Sequence, residues 1–288
     1  MIVVTGASGQ MGRAVLERLL DRVPAGGLAV SVRDVDRVRD LAERGVRVRR
    51  GDFTDPAGLA HAFEGATQVL VVAVDSTGPE RVRRHRAAID AAVAAGAARV
   101  LYTSHAGASP TSPFPPMPDH AATDAALAGS GVAYTALHNG FYASTVPLLL
   151  RGVTESGELR LPASGPFAWT THADLADAAA TALVDGGLDG VTPPLTGPDA
   201  LDLDDVAALA SEITGRAIRR VVVPDDEYRA TLLGGGLPGS AADMLVGMFA
   251  ASRRGDFAAV DPALPRLLGR PATSLAQFLR TQPAPAAS

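Results

Sequence analysis

The segment Ile2-Val3-Val4-Thr5-Gly6-Ala7-Ser8-Gly9-Gln10-Met11-Gly12 constrains this chain more than any other, because an apolar run followed at once by regularly spaced glycines has few structural solutions. The β-branched run Ile2 to Thr5 suits a buried strand, and the leucine-rich stretch Gly12 to Leu20 suits a helix packed back onto it. Glycine permits the sharp turn between them, and it admits a ligand against the main chain where a side chain at Gly9 would obstruct it. A helix opens with free N–H groups and the positive end of its dipole, so the loop is suited to the phosphates of a dinucleotide. The bland alternative is a tight turn without a ligand; its position at the first strand-to-helix junction favours the ligand.

The same rhythm of strand and helix continues. Strands are expected at Ile2 to Thr5, Leu28 to Val32, Val46 to Arg49, Gln68 to Val74, Val100 to Thr103 and Val132 to Leu137. Helices are expected at Gly12 to Leu20, Asp36 to Glu43, Asp55 to Phe63, Pro79 to Ala95 and Asp119 to Ala128. This pattern predicts an α/β protein with a doubly wound parallel sheet of the Rossmann type. Residues 1–140 form its dinucleotide-binding domain, with a return of 165–185, and 141–288 form a smaller, mainly substrate-covering region. That region carries helical patterns at Ala173 to Val184, Leu203 to Ile213, Asp225 to Leu233 and Ala241 to Phe249, and extended pieces at Val191 to Leu195 and Ile218 to Val223. The five prolines of Ser109 to Pro118 mark an irregular loop over the carboxyl edge of the sheet, and the tail Gln282 to Ser288 is expected to fray.

The end of the second strand selects the cofactor. NAD binders place an acid there for the ribose hydroxyls, whereas this chain reads Val32-Arg33-Asp34. The Arg33 guanidinium suits a 2′-phosphate, so NADP(H) is the expected cofactor; Asp34 either serves a 2′-hydroxyl or caps a turn. Asp52 and Phe53 follow the third strand and can flank the adenine, and Ala73 and Val74 end the fourth.

Composition then removes chemistries. All 26 basic residues are arginine, so no mechanism uses a lysine, and the absence of cysteine excludes disulfides, thiolate metal sites and a thiol nucleophile. A net charge of −5 argues against nucleic acid, and no apolar run is long enough for a membrane span. Met1 leads directly into the first strand without a secretion signal, so a cytoplasmic protein is expected. The expected partner is a small planar aromatic substrate, with room for a homodimer and no metal.

Several local sequences, in order, carry a family resemblance: Thr5 to Gly12, Val32-Arg33, Gly51-Asp52-Phe53, Tyr102-Thr103-Ser104, Gly131-Val132-Ala133-Tyr134-Thr135, Asn139-Gly140-Phe141-Tyr142 and His172-Ala173-Asp174-Leu175-Ala176. Together they resemble the NmrA-like, atypical short-chain dehydrogenases/reductases, especially the bacterial NADPH:quinone oxidoreductase and triphenylmethane reductase type. The resemblance covers nearly the whole chain. It implies cofactor contacts from Gly6, Ala7, Ser8, Gly9, Gln10, Met11, Gly12, Thr103, Asn139, Gly140, Phe141 and His172, beside Arg33, Asp52, Phe53, Ala73 and Val74. It also exposes a departure. Short-chain reductases generally use Tyr-x-x-x-Lys, but Tyr102, Tyr134, Tyr142 and Tyr228 are followed four residues later by Ala106, His138, Val146 and Leu232. The lysine that quinone-reductase relatives carry at the position matching Ala125 is also missing.

Among the six histidines, His120 is the first candidate to donate a proton to, or orient, a substrate oxygen; an exposed helix-start imidazole is the alternative. Ser104 can bond a substrate oxygen or the nicotinamide, Tyr142 can line the pocket, and His105 and His138 are weaker candidates. The acidic run Asp202-Leu203-Asp204-Asp205 reads as helix capping; Arg81, Arg83, Arg84 and Arg86 can attract an anion but read rather as a solvated helix face. Trp169 covers a substrate or fills the core. The expected activity is hydride transfer from NADPH to a quinone or an aromatic or polyketide-like carbonyl. The alternatives are a non-catalytic NAD(P) sensor and a redox-neutral tailoring enzyme.

Overall fold

In the computed structural model, which describes residues 1–282, strand and helix alternate through the first half of the chain. Strands β1 (Ile2–Thr5), β2 (Leu28–Val32), β3 (Arg47–Arg50), β4 (Gln68–Val71), β5 (Arg99–His105) and β6 (Ala133–Asn139) interleave with helices α1 (Gln10–Leu20), α2 (Arg39–Glu43), α3 (Pro56–Phe63), α4 (Pro79–Ala94) and α5 (Pro116–Ala128). The second half adds strands β7 (Phe141–Tyr142), β8 (Glu158–Pro162), β9 (Phe167–Thr170), β10 (Gly190–Val191), β11 (Ala200–Leu201) and β12 (Arg219–Val223). Its helices are α6 (Thr145–Leu149), α7 (Val153–Ser156), α8 (His172–Val184), α9 (Leu203–Thr214), α10 (Asp225–Gly234), α11 (Gly239–Arg253), α12 (Ala263–Leu268) and α13 (Leu275–Thr281). From residue 283 on, the tail expected to fray lies outside the described residues.

The main sheet has seven parallel strands in the order β3-β2-β1-β4-β5-β6-β10. Strand order reverses between β1 and β4, which leaves a crevice beyond their carboxyl ends. Both faces are covered. Val4, Val30 and Leu70 pack under α1 and α8, while Val3, Ala29 and Val69 pack under α3 and α4, so adjacent residues of one strand enter two different cores. This double burial is why the strands read as continuous apolar runs rather than as alternating ones.

Local chemistry accounts for the differences from expectation. Gly190–Val191 adds a seventh strand to the six expected, at the edge beside Thr135 and Ala136. The helix expected at Asp36 to Glu43 begins as a 3₁₀ turn at Val35–Val38, capped by the Asp34 carboxylate accepting from the Asp36 N–H, and only its last five residues are α-helical. The proline-rich stretch enters α5 at Pro116, because proline is tolerated in a first turn whose N–H groups have no partner. Asp202 and Asp205 form a capping box on α9, which explains the acidic run.

A second core lies between the short sheet β11-β9-β7 and the C-terminal helices. Phe167 stacks between Trp169, at 4.5 Å between ring centroids, and Phe257, at 5.4 Å. Trp169 is 1% exposed, so it fills this core. No helix among the described residues is long and apolar enough to cross a membrane. Truncating Phe167 to alanine removes the centre of this stack and is expected to cost about 3–5 kcal/mol of unfolding free energy, measurable as a lower denaturant midpoint.

Candidate active site

A cavity of about 570 Å³ opens over the carboxyl ends of β1, β2, β4 and β5. Its floor is the glycine loop, where the three glycines have different reasons to be glycine. Gly6 turns with φ +64°, a left-handed conformation that disfavours side chains. A Cβ on Gly12 would lie 2.5 Å from the Gly6 oxygen, so α1 can approach β1 only without one. At Gly9 the nearest atom to a Cβ is 3.4 Å away, so the fold tolerates a methyl group there and the open space is left for a ligand. Gly9 is also the N-cap of α1, with no side-chain cap and no acid in the first turn, so the first N–H groups of the helix keep their affinity for an anion.

At one end the wall consists of Ser31, Val32, Arg33, Gly51, Asp52, Phe53 and Arg84. Arg33 is exposed and forms no ion pair among the described residues. Asp34 caps its own 3₁₀ turn, its Oδ1 accepting from the Asp36 N–H at 3.0 Å. Asp52 accepts from both the N–H and the hydroxyl of Thr54, and these bonds hold its carboxyl below the usual range. The Ser31 and Ser76 hydroxyls on the wall are buried and have no hydrogen-bond partner among the described residues.

The roof is the segment after β4, which is shorter than the expected Gln68 to Val74. Residues 72–74 leave the sheet, and side chains take up their N–H groups: Thr5 Oγ1 accepts from Val72 at 2.9 Å, Thr103 Oγ1 from Ala73 at 2.8 Å and His85 Nε2 from Val74 at 3.0 Å. Thr103 therefore stands at the wall with its hydroxyl already engaged.

The far end is built from Arg81, Ser104, His105, His120, Tyr142 and His172. Arg81 is 5% exposed, which corrects the expectation of a solvated face: Arg81, His85, Ala88, Ile89 and Ala92 form the buried stripe of α4, while Arg83 and Arg86 face solvent. Arg81 Nη2 lies 2.9 Å from His120 Nε2, and since a guanidinium only donates, His120 Nε2 accepts. The His120 proton is then on Nδ1, 2.9 Å from the Tyr102 hydroxyl. His120 is 6% exposed, so the exposed alternative does not hold, and neither nitrogen is left for a ligand. Burial, reinforced by Arg81, keeps its pKa well below 6.5. Burial likewise lowers His85 and His105 to about 3 and His172 to about 4. It raises the Tyr142 phenol above its ordinary value. Tyr142 and His172 face each other with centroids 4.2 Å apart. Ser104 and His138 converge on Asp124 Oδ2, each at 2.9 Å, so the Ser104 hydroxyl donates to the carboxylate and retains its lone pairs for the cavity.

Four expected contacts are not at the cavity wall. Ala7 is fully buried beneath the loop, and Phe141 lies in the second core. Gly140 is wedged where a Cβ would lie 2.3 Å from Thr170 Oγ1, and Asn139 is 2% exposed with its Oδ1 unpartnered. Conversely, Arg81 and Arg84, for which the sequence favours a solvated face over an anion site, stand at the cavity wall. The i, i+4 spacing of Arg81 and His85 on an otherwise apolar stripe was the available signal.

The NAD(P)H-binding family matches residues 6–186. Quinone oxidoreductase 2 of Escherichia coli strain K12 is 34% identical over 96% of both chains, and its NADPH complex superposes with a TM-score of 0.92 over 97% of this chain and 98% of the other. The NAD(P)H azoreductase of Xenophilus azovorans is 31% identical over 99% of this chain and 98% of its own. Triphenylmethane reductase of Citrobacter sp., complexed with NADP(H), is 31% identical and superposes with a TM-score of 0.91 over 97% of this chain and 99% of the other.

Two measurements probe this geometry. Gly12→Ala is expected to lose about 1–3 kcal/mol of stability, whereas Gly9→Ala stays within about 0.5 kcal/mol of the wild type; thermal and denaturant unfolding read both. His85 is held at about 3 in the fold against 6.5 when free, so its contribution is full above pH 6.5 and is lost as the pH falls toward 3. Unfolding free energy should therefore fall by up to about 1.4 kcal/mol per pH unit from this group, and His85→Gln should flatten the slope.

Proposed function

The chain belongs to the NAD(P)H-binding family, and from that premise we propose that it is an NADPH-dependent reductase delivering hydride to a quinone or a related planar, electron-poor aromatic acceptor. The observation that carries this reading is the continuous cavity from exposed Arg33, across the uncapped start of α1, to an end lined by neutral imidazoles and a phenol. The unpartnered Ser31 and Ser76 hydroxyls and the open space at Gly9 fit a dinucleotide lying along that path.

In this assignment the N–H groups at Gln10, Met11 and Gly12 hold the pyrophosphate, Arg33 pairs with the 2′-phosphate, and Phe53 borders the adenine beside Asp52. Ala73 and Val74 roof the cofactor, and Ser104 accepts from the carboxamide. Tyr142 and His172, tilted 37° to one another, form the wall at the reacting end. Residues 1–140, with the return of 165–185, provide the binding domain, and the rest of the described chain from 141 on mainly covers the substrate. When bound, NADPH supplies a hydride. The protein positions the acceptor, excludes water and places donors where its oxygen gains charge. An acceptor whose reduced form is a stabilised phenolate needs no strong internal acid, which suits a chain without Tyr-x-x-x-Lys. His120 acts by orienting Arg81 toward the cavity.

NADPH consumption against a panel of quinones and aromatic dyes tests the reading; tight NADPH binding without turnover on any acceptor would sink it. Arg33→Ala is expected to weaken NADPH about 10–100-fold and leave NADH nearly unchanged, and Gly9→Ala is expected to weaken both without unfolding the protein, as read by fluorescence titration.

A further inference from the structure

We propose that His105 is the catalytic hydrogen-bond donor of this site, its Nε2–H holding the acceptor's carbonyl oxygen and stabilising the charge that the oxygen gains. The proposal rests on the reductase reading and deepens it. Among the cavity-lining histidines, His105 alone has one nitrogen pinned by the protein and the other open. The Gly107 N–H donates to His105 Nδ1 at 2.9 Å, which places the proton on Nε2. No group among the described residues hydrogen-bonds with Nε2, and the half-buried ring lines the cavity wall. By contrast, His120 has both nitrogens engaged, His172 has neither fixed by a hydrogen bond among the described residues, and the Ser104 proton is directed to Asp124.

The pinning is structural. A Cβ on Gly107 would lie 2.9 Å from both the Asp256 oxygen and the Phe257 ring, so the turn after β5 can seat against the C-terminal segment only with glycine there. The Ala106 N–H donates to the Asn139 oxygen at 2.8 Å and the Ala108 N–H to the His105 oxygen at 2.9 Å, so the turn is fastened on either side of the imidazole. Phe141 and Phe257 of the second core meet the His105 ring edge-on from behind, at 5.6 and 5.7 Å, and so fix its orientation at the cavity wall.

Charge around the ring favours its neutral form. Arg81 on α4 and His138 on β6 bear on it, the neutral His120 on α5 lies beside it, and Asp124 is engaged at Oδ2 by His138 and Ser104. Burial with His138 and Arg81 holds His105 at about 3, so the imidazole stays neutral through the physiological range. A neutral imidazole stabilises an oxyanion without giving up its proton. The balance follows: a quinone taking a hydride, and with it two electrons, from NADPH would become a phenolate hydrogen-bonded to Nε2–H, leaving NADP⁺, and water would supply the proton completing the hydroquinone, leaving hydroxide.

Three variants and one spectroscopic measurement test this. In ¹⁵N-histidine spectra of the wild type without cofactor, His105 should show the Nε2–H tautomer from pH 5 to 8 and shift when 4-nitrophenolate, a planar aromatic oxyanion, is added at pH 8. His105→Phe should weaken 4-nitrophenolate about tenfold or more, leave NADPH affinity unchanged and lower kcat on a quinone about 10²-fold. His105→Gln, which restores an N–H donor, should recover part of both losses, while Tyr142→Phe should weaken 4-nitrophenolate less than His105→Phe does. Protonation of His105 at pH 6, an unmoved ¹⁵N signal, unchanged affinity in His105→Phe, or loss in Tyr142→Phe alone would overturn the proposal. Should His105→Phe fail to fold, the wild-type spectra and His105→Gln still decide it. A wild type that binds 4-nitrophenolate through His105 but never consumes NADPH would overturn the reductase reading instead.

Discussion

The close approach of α1 to β1 at Gly12 is the constraint on which the rest of the site depends. With no Cβ there, the helix starts against the Gly6 carbonyl and presents its unpartnered N–H groups at the point where strand order reverses. The same helix packs along α8, whose first residue, His172, is thereby brought to the cavity wall beside Tyr142. A single missing methyl group thus fixes the relation between the loop, the sheet edge and a wall contributed by the second half of the chain.

Around that fixed point, main chain leaving the sheet has to find new partners. Residues 72–74 do so through Thr5, Thr103 and His85, and the cost is that three polar side chains serve the scaffold. His85 can accept the Val74 N–H only while that nitrogen is unprotonated, and burial keeps it so. The neighbouring network of Arg81, His120 and Tyr102 follows the same rule: a buried guanidinium donates, and a neutral imidazole passes the hydrogen bond inward. A chain with only arginine as its cation can place a permanent charge near the reacting end, but it has no lysine to tune a tyrosine. The site is therefore arranged to hold and polarise an acceptor rather than to protonate it strongly.

Much of this was legible in the residues. The apolar run, the glycine spacing and Arg33 indicated the sheet, the loop and the cofactor, because each depends on local backbone freedom or on a side chain adjacent in sequence to a strand end. The short strands β7, β9 and β11 were not legible, since two to four residues have no usable period and are defined by pairing with distant segments. Arg81 was misread for a related reason: a charged residue on a buried stripe looks like surface until the partners that solvate it are known.

By itself, then, the sequence determined the Rossmann-type sheet, the dinucleotide loop and the absence of a Tyr-Lys pair, which follow from periodicity, glycine stereochemistry and composition. Only the tertiary structure decided which histidine has a nitrogen free for substrate. Tautomer and accessibility depend on what lies against each ring, and the groups concerned come from three separate parts of the chain: Arg81 on α4, Tyr102 and Gly107 on β5 and the turn after it, and Phe257 in the C-terminal segment.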